Sequence, residues 1–426
     1  MNLKPKHSLS ETRSRRLLSV GLLCAGWLAA RTEASAQDVL APVPQYSITP
    51  PAMLPYSTND LQVFSSDNSI PPLEQKPLAQ WGPISVRPHV FYRFLYGDSI
   101  PSTPGNFVST TIQQISPGIF LGLGNHWSLD YTPTLNYYSS SAFRDTLDHY
   151  VRLTGGTAYK DWVLGLSQSY QSSSPPLVET GTQTEQQTFA TSLTGTDQIN
   201  TRMALDLSLH LNIVDTDQFT SYREWSTLNW LHYQFWPRVD TSLGLGVGYV
   251  TPNQGSDMLY EQFLGRIGFR PANKISFEIH GGLETRQFLS GGQANLLNPL
   301  VGGLIQYQPF DVTRLSLTVD RTVAASYFQN QITETFEVIG GVNQRLIKIL
   351  YLNLSGGYHH VEYVSSSGAG TGRIDDYYTF DARLTTTFLK DRGSAALFYQ
   401  YSDNSSTAPG FTYNSNQVGF ELGYRW

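Results

Sequence analysis

The strongest constraint on this chain is a period of two. From residue 85 onward, apolar and polar side chains alternate through segment after segment. Met203, Leu205, Leu207, Leu209 and Leu211 interleave with Ala204, Asp206, Ser208, His210 and Asn212. Leu243, Leu245, Val247 and Tyr249 interleave with glycines, and Leu315, Leu317 and Val319 with Arg314, Ser316, Thr318 and Asp320. Such spacing puts one kind of side chain on each face of a β-strand. Eighteen segments read this way: 85–97, 107–123, 127–140, 147–159, 162–172, 183–195, 199–212, 220–236, 239–250, 258–270, 274–287, 295–308, 313–323, 331–346, 349–364, 373–389, 394–403 and 411–426.

The connections alternate in kind. Short turns are predicted at Gly124–His126, Lys160-Asp161, Thr196–Gln198, Pro237-Arg238, Pro271–Asn273, Phe310–Val312, around Lys348 and at Lys390–Gly393. Longer polar loops are predicted at 98–106, 141–146, 173–182, 213–219, 251–257, 288–294, 324–330, 365–372 and 404–410. Short then long, repeated, describes an up-and-down meander whose two rims meet different surroundings. An even strand number puts both ends of the meander on the short-turn rim. None of these loops is long enough to read as one that folds inward. A β-sandwich array or a propeller would also alternate, but no blade motif or internal repeat is visible. The fold class is therefore all-β, a transmembrane up-and-down antiparallel β-barrel of about 18 strands (16–18).

The start of the chain fits this reading. Residues 1–36 form a signal-like segment: basic Lys4, Lys6, Arg13, Arg15 and Arg16, an apolar stretch Leu17–Ala30, and a small-residue site Ala34-Ser35-Ala36. The apolar stretch is too short for a spanning helix. Residues 37–83 are rich in proline (Pro42, Pro44, Pro50, Pro51, Pro55, Pro71, Pro72, Pro77) and read as a leader, either a tether or a lumen plug. The barrel domain follows at 84–426. The one cysteine, Cys24, falls within the signal-like segment, so the remainder has no disulfide or thiolate chemistry. Beyond residue 36 the chain carries 22 basic and 32 acidic residues, a net charge of −10, which argues against a nucleic-acid partner.

Aromatic residues mark both rims. Trp127, Trp162, Trp236, Phe269, Phe310, Phe388 and Trp426 lie near the short turns. Tyr137, Tyr170, Tyr222, Tyr249, Tyr260, Phe288, Tyr363, Tyr378, Tyr401 and Tyr413 lie toward the long loops. Two bands about one transmembrane strand apart are predicted to be interfacial girdles.

No catalytic constellation, metal motif or cofactor fingerprint stands out. Asp206 and His210 share a strand face with no nucleophile marked beside them. His359 and His360 are adjacent and so point to opposite faces. The polar faces supply the candidate pore-lining residues: Asp206, His210, Arg266, Glu278, His280, Glu284, Arg314, Asp320, Asp381 and Arg383. Their mixed signs predict no strong ion selectivity.

The chain ends Val418-Gly-Phe-Glu-Leu-Gly-Tyr-Arg-Trp426. This tail resembles the C-terminal signal read by the barrel assembly machinery of the bacterial outer membrane, with Phe420, Leu422, Tyr424 and Trp426 as its apolar positions. With the signal-like segment, the Pro-rich leader and the alternating strands, it resembles the outer-membrane β-barrel porin families of Gram-negative bacteria. The resemblance implies an outer-membrane location and a non-enzymatic channel without cofactor. It implies as partners outer-membrane lipid, the barrel assembly machinery, and small hydrophilic solutes or polysaccharide. An exopolysaccharide-export barrel and a closed structural barrel are the alternatives.

Overall fold

The computed structural model describes residues 78–289, 295–365, 372–390 and 392–426. The signal-like segment and the leader up to residue 77 lie outside the described residues. The strands run β1 (Ala79–Trp81), β2 (Ile84–Thr103), β3 (Asn106–Leu123), β4 (Trp127–Tyr138), β5 (Thr146–Tyr159), β6 (Trp162–Ser173), β7 (Pro176–Leu177), β8 (Thr182–Gln183), β9 (Gln186–Asn200) and β10 (Met203–Thr216). They continue with β11 (Tyr222–Trp236), β12 (Val239–Pro252), β13 (Met258–Ala272), β14 (Ile275–Phe288), β15 (Leu296–Phe310), β16 (Thr313–Ala325), β17 (Gln331–Ile347), β18 (Leu350–Ser365), β19 (Ile374–Phe388), β20 (Gly393–Ser406) and β21 (Tyr413–Arg425).

Eighteen of these, β2–β6 and β9–β21, form one antiparallel ring in chain order. The ring closes where β2 pairs with β21, His89 opposite Arg425 through Gly97 opposite Gln417. Closure leaves no sheet edge, which is the condition for a sheet to stand in hydrocarbon with every backbone group satisfied. β1 adds only a short hairpin to the start of β2. β7 and β8 belong to a loop, described below.

The alternation sorts the two faces as expected. Leu245, Ile279, Leu297 and Leu397 are 63%, 65%, 64% and 63% exposed and form part of an apolar exterior. Their neighbours in sequence, such as Gly246, His280, Asn298 and Phe398, turn inward. The tail occupies the closing strand: Val418, Leu422 and Trp426 face out, Phe420 stacks on Phe94 at 5.6 Å, and the Trp426 amide donates to the Pro88 carbonyl at 3.2 Å.

Three expectations are corrected. The segment 98–106 is not a loop: β2 runs on to Thr103 and only Pro104-Gly105 turn into β3. Above the bilayer a strand no longer needs alternation, and a bulge between Gly97 and Ile100 breaks its parity. The turn expected at Thr196–Gln198 lies at Thr201-Arg202, because β9 extends as a polar strand to Asn200. The outer girdle is only half present. Tyr137, Tyr249 and Tyr378 face out, but Tyr260, Phe288, Tyr363 and Tyr413 are buried inside the barrel. Their parity places them with the lumenal residues, and they pack there: Tyr260 and Phe288 join Trp230, Val250, Met258, Leu264 and Leu300 in an interior apolar cluster.

Candidate functional site

The candidate site is the lumen and a loop that crosses it. Residues 174–185 leave the wall after β6, form the β7–β8 hairpin, and return at β9. The loop is buried: Leu177 is 1%, Thr180 3% and Thr184 3% exposed. Its contacts show where it goes. The Glu179 carboxylate accepts hydrogen bonds from Ser326 Oγ at 2.6 Å and from the Tyr327 amide at 2.8 Å. The Arg373 guanidinium donates to the carbonyls of Glu179 at 2.7 Å and Val178 at 3.1 Å. Ser326 and Tyr327 follow β16, and Arg373 precedes β19. Those connections lie eight and ten strands around an 18-strand ring from the β6–β9 connection, so they sit on the opposite wall. The loop therefore spans the lumen. No loop was expected to fold inward; this one does so despite its short length.

Side contacts hold it along the way. Thr182 Oγ1 donates to the Ser102 carbonyl at 3.0 Å, and Gln183 exchanges two bonds with the backbone of Arg144. Gly181 turns with φ 68 between Phe411 and Pro104, where an added Cβ would come within 3.2 Å of each. Arg373 is itself fixed: it lies 3.6 Å from the Phe411 ring centroid and 4.5 Å from that of Tyr363, and bonds Asp375 at 3.0 Å.

Burial pushes the Glu179 carboxyl above the ordinary carboxylate range. Its bonds from Ser326 and the Tyr327 amide, and nearby Arg373, oppose that shift, while Asp375 adds to it. One carboxyl oxygen, Oε2, has no partner among the described residues. A raised pKa in the docked loop means docking is favoured in full below the ordinary carboxylate pKa and weakens as pH rises through the raised value. Single-channel current noise from loop motion is therefore expected to grow as pH rises above the ordinary carboxylate range. Glu179→Gln, uncharged throughout, should flatten that dependence; an unchanged pH profile would dismiss this role for Glu179.

Beside the interior apolar cluster the lumenal wall carries polar and charged side chains. Each sequence-selected pore-lining residue lies on the inward face. Asp206 pairs with His232 on the next strand at 2.7 Å rather than with His210 on its own strand. His210 makes no side-chain hydrogen bond to another described residue. Arg266 stacks on Trp230 at 4.6 Å and stands 4.0 Å from Glu278. His280 is 3.5 Å from Asp320. Glu284, fully buried, accepts from Arg286 at 2.9 Å and Gln262 at 2.8 Å. Asp381 accepts from Gln400 at 2.9 Å, and Arg383 makes a two-point contact with Glu421. Arg314 forms no ion pair with another described residue on its neighbouring strands.

Sequence reading missed Arg93, which is 1% exposed, lies 3.4 Å from Glu421 and donates to Gln400 at 3.0 Å. It also missed Glu179, Arg373 and His232. Arg93 follows the inward parity of β2 and was legible; Glu179 and Arg373 sit in connections, where parity gives no signal. His359 and His360 do face opposite ways: His359 is 3.2 Å from inward Glu337, and His360 is 2.8 Å from Asp376 on the outer face.

No protein-family model and no curated protein matches the chain. Among solved structures it is similar to the Pseudomonas aeruginosa protein OccK11 (OpdR), at 14% identity and TM-score 0.42, over 80% of this chain and 95% of that one. It is similar to P. aeruginosa OpdO at 12% identity and TM-score 0.45, over 80% and 97%. It is similar to Acinetobacter baumannii OccAB4 at 11% identity and TM-score 0.44, over 80% and 98%. The closed ring with its apolar exterior decides the class on its own. This is a transmembrane β-barrel.

One lumenal chain of hydrogen bonds has the composition of a catalytic triad. Ser242 Oγ lies 2.8 Å from His232 Nδ1, and His232 Nε2 lies 2.7 Å from Asp206. Ser242 is only 3% exposed, and its flanking amides lie within paired strands. A reacting carbonyl would find neither a free nucleophile nor an oxyanion site there. The chain of bonds braces three neighbouring strands.

Proposed function

We propose that this barrel is a non-enzymatic channel for passive diffusion of hydrophilic solutes, narrowed near its outer mouth by the loop 174–185. The observation that carries the proposal is that loop. It crosses the lumen and is anchored on the far side by Glu179 and Arg373. Eighteen strands enclose more space than their own side chains fill, so water enters unless something blocks it. A loop spanning the middle divides that space and sets the largest solute that passes. A polysaccharide threading the barrel would have to displace the loop from its anchors.

The experiment is liposome swelling with a graded series of uncharged solutes on the purified, folded barrel. Small solutes are expected to enter and larger ones to be excluded at a sharp size. A folded barrel that admits no solute and carries no ion current would overturn the channel reading in favour of a structural barrel.

The same reading assigns the terminal strand to assembly. Trp426 faces outward at the seam where β21 closes on β2. Trp426→Ser is expected to lower the outer-membrane yield of heat-modifiable barrel while export across the inner membrane continues. Normal yield in fractionated cells would remove Trp426 from that role.

A further inference from the structure

In two places a pair of neighbouring strands stops pairing in mid-span and then resumes. Between β3 and β4 the gap lies between Ile115 opposite Leu135 and Ile119 opposite Tyr131, and Pro117 and Pro133 explain it, since neither has an N–H to give. Between β10 and β11 the gap lies between Asp206 opposite Trp230 and His210 opposite Ser226, and no proline is there. Side chains take the place of the ladder. The Ser208 amide donates to Asn229 Oδ1 at 3.1 Å and the Leu228 amide to Ser208 Oγ at 3.3 Å. Ser208 Oγ donates to the Leu228 carbonyl at 2.7 Å, and Thr227 Oγ1 to the Ser208 carbonyl at 2.6 Å. All four backbone groups of the missing step are thus satisfied. Three polar side chains hold these strands apart without a cost in unpaired groups.

A recess of about 340 Å³ sits over this seam, on the lumenal side. Its volume lies within the range of small-molecule sites, about 300–1,000 Å³. Glycines on β12 shape its far side: Gly244 and Gly248 leave room for the Trp230 and Tyr260 rings to lie across that strand. The charges in the recess are internally matched. Asp206 is bonded by His232, and Arg266 lies between the Trp230 ring and Glu278. Three lining groups, Thr194, Ser226 and His210, make no side-chain hydrogen bond to another described residue. They offer donors and acceptors together, beside the apolar edge of Leu228.

We infer that this recess is a binding station for an uncharged, polyhydroxylated solute of mono- to disaccharide size. A carboxylate or ammonium solute would enter against charges already paired, and would leave its own charge unmatched. A hydroxyl-rich ring can give and take hydrogen bonds at Thr194, Ser226 and His210 while resting an apolar face on Leu228. The station deepens the proposed channel role, and rests on it for its meaning in transport.

The test is isothermal titration of the detergent-folded barrel with sucrose, and separately with benzoate and with arginine, each alongside ion-current recordings in planar bilayers. Sucrose is expected to bind and to interrupt the current, and benzoate and arginine to do neither. Ser226→Phe, which fills the recess, should weaken sucrose binding by about tenfold or more. His210→Ala is a second variant that removes a donor without adding bulk, and should weaken binding in the same direction. Thr318→Phe, on a distant part of the wall, should leave sucrose binding as it is. Heat modifiability on gels shows whether each variant has folded. No sucrose binding, equal binding in the recess variants and wild type, or tighter binding of benzoate or arginine would each overturn the inference. Sucrose binding without any ion current would instead count against the channel reading alone.

Discussion

Replacing residues 175–184 with a short Asn-Gly turn is expected to raise the single-channel conductance several-fold. The wall can accept the cut. Ser173 and Gln186 are directly paired at the ends of β6 and β9, so a tight turn joins them without moving either strand. What is lost is the bridge to the opposite wall: Glu179 to Ser326 and Tyr327, and the loop carbonyls to Arg373. Those anchors then meet water, which can hydrate them, so the barrel should keep its heat-modifiable fold. The narrowest part of the path would widen to the bare ring. Arg373→Ala should act in the same direction more weakly, as a rise in current fluctuations with the loop still present. A loop-deleted barrel with wild-type conductance would show that ions avoid this route, and the proposed constriction would fail.

Leu245→Arg should destabilise the barrel by about 2–4 kcal/mol, because an arginine on the lipid face near mid-span has no water to solvate it. Leu245 is 63% exposed midway along β12, on the outward face. Thr318→Arg is the matched control: it is midway along β16 and faces the lumen, where water and mixed charges can take up the guanidinium. Urea unfolding in lipid vesicles reads the difference. Equal losses in the two variants would mean that the faces have been assigned the wrong way round.

The second expectation depends on facing, and facing was legible in the sequence. Lipid outside and water inside act on every spanning residue separately, so the pattern is local and survives without any knowledge of neighbours. That is why the eighteen segments fall on the eighteen ring strands, most within a few residues. Reading failed first where that local pressure ends. Beyond the bilayer, polar strand and polar turn look alike, so β9 ran past Asp197 and Gln198, and β2 past Asp98. It also failed where rim position was weighed above parity, as with Tyr260 and Tyr363, which stand at girdle height but on the inward face.

Pairing was not legible. Asp206 and His210 share a face four residues apart, yet Asp206 bonds His232, because cross-strand register brings that imidazole closer than the strand's own rise allows. Nor could the sequence show the loop's path. Glu179 meets Tyr327 across 148 residues, and Arg373 meets Val178 across 195. Closure of the ring alone makes these neighbours. The two-faced solvent wrote the strands into the sequence one residue at a time. The loop's crossing, the lumenal ion pairs and the recess at the β10–β11 seam depend on which distant side chains the closed ring brings face to face.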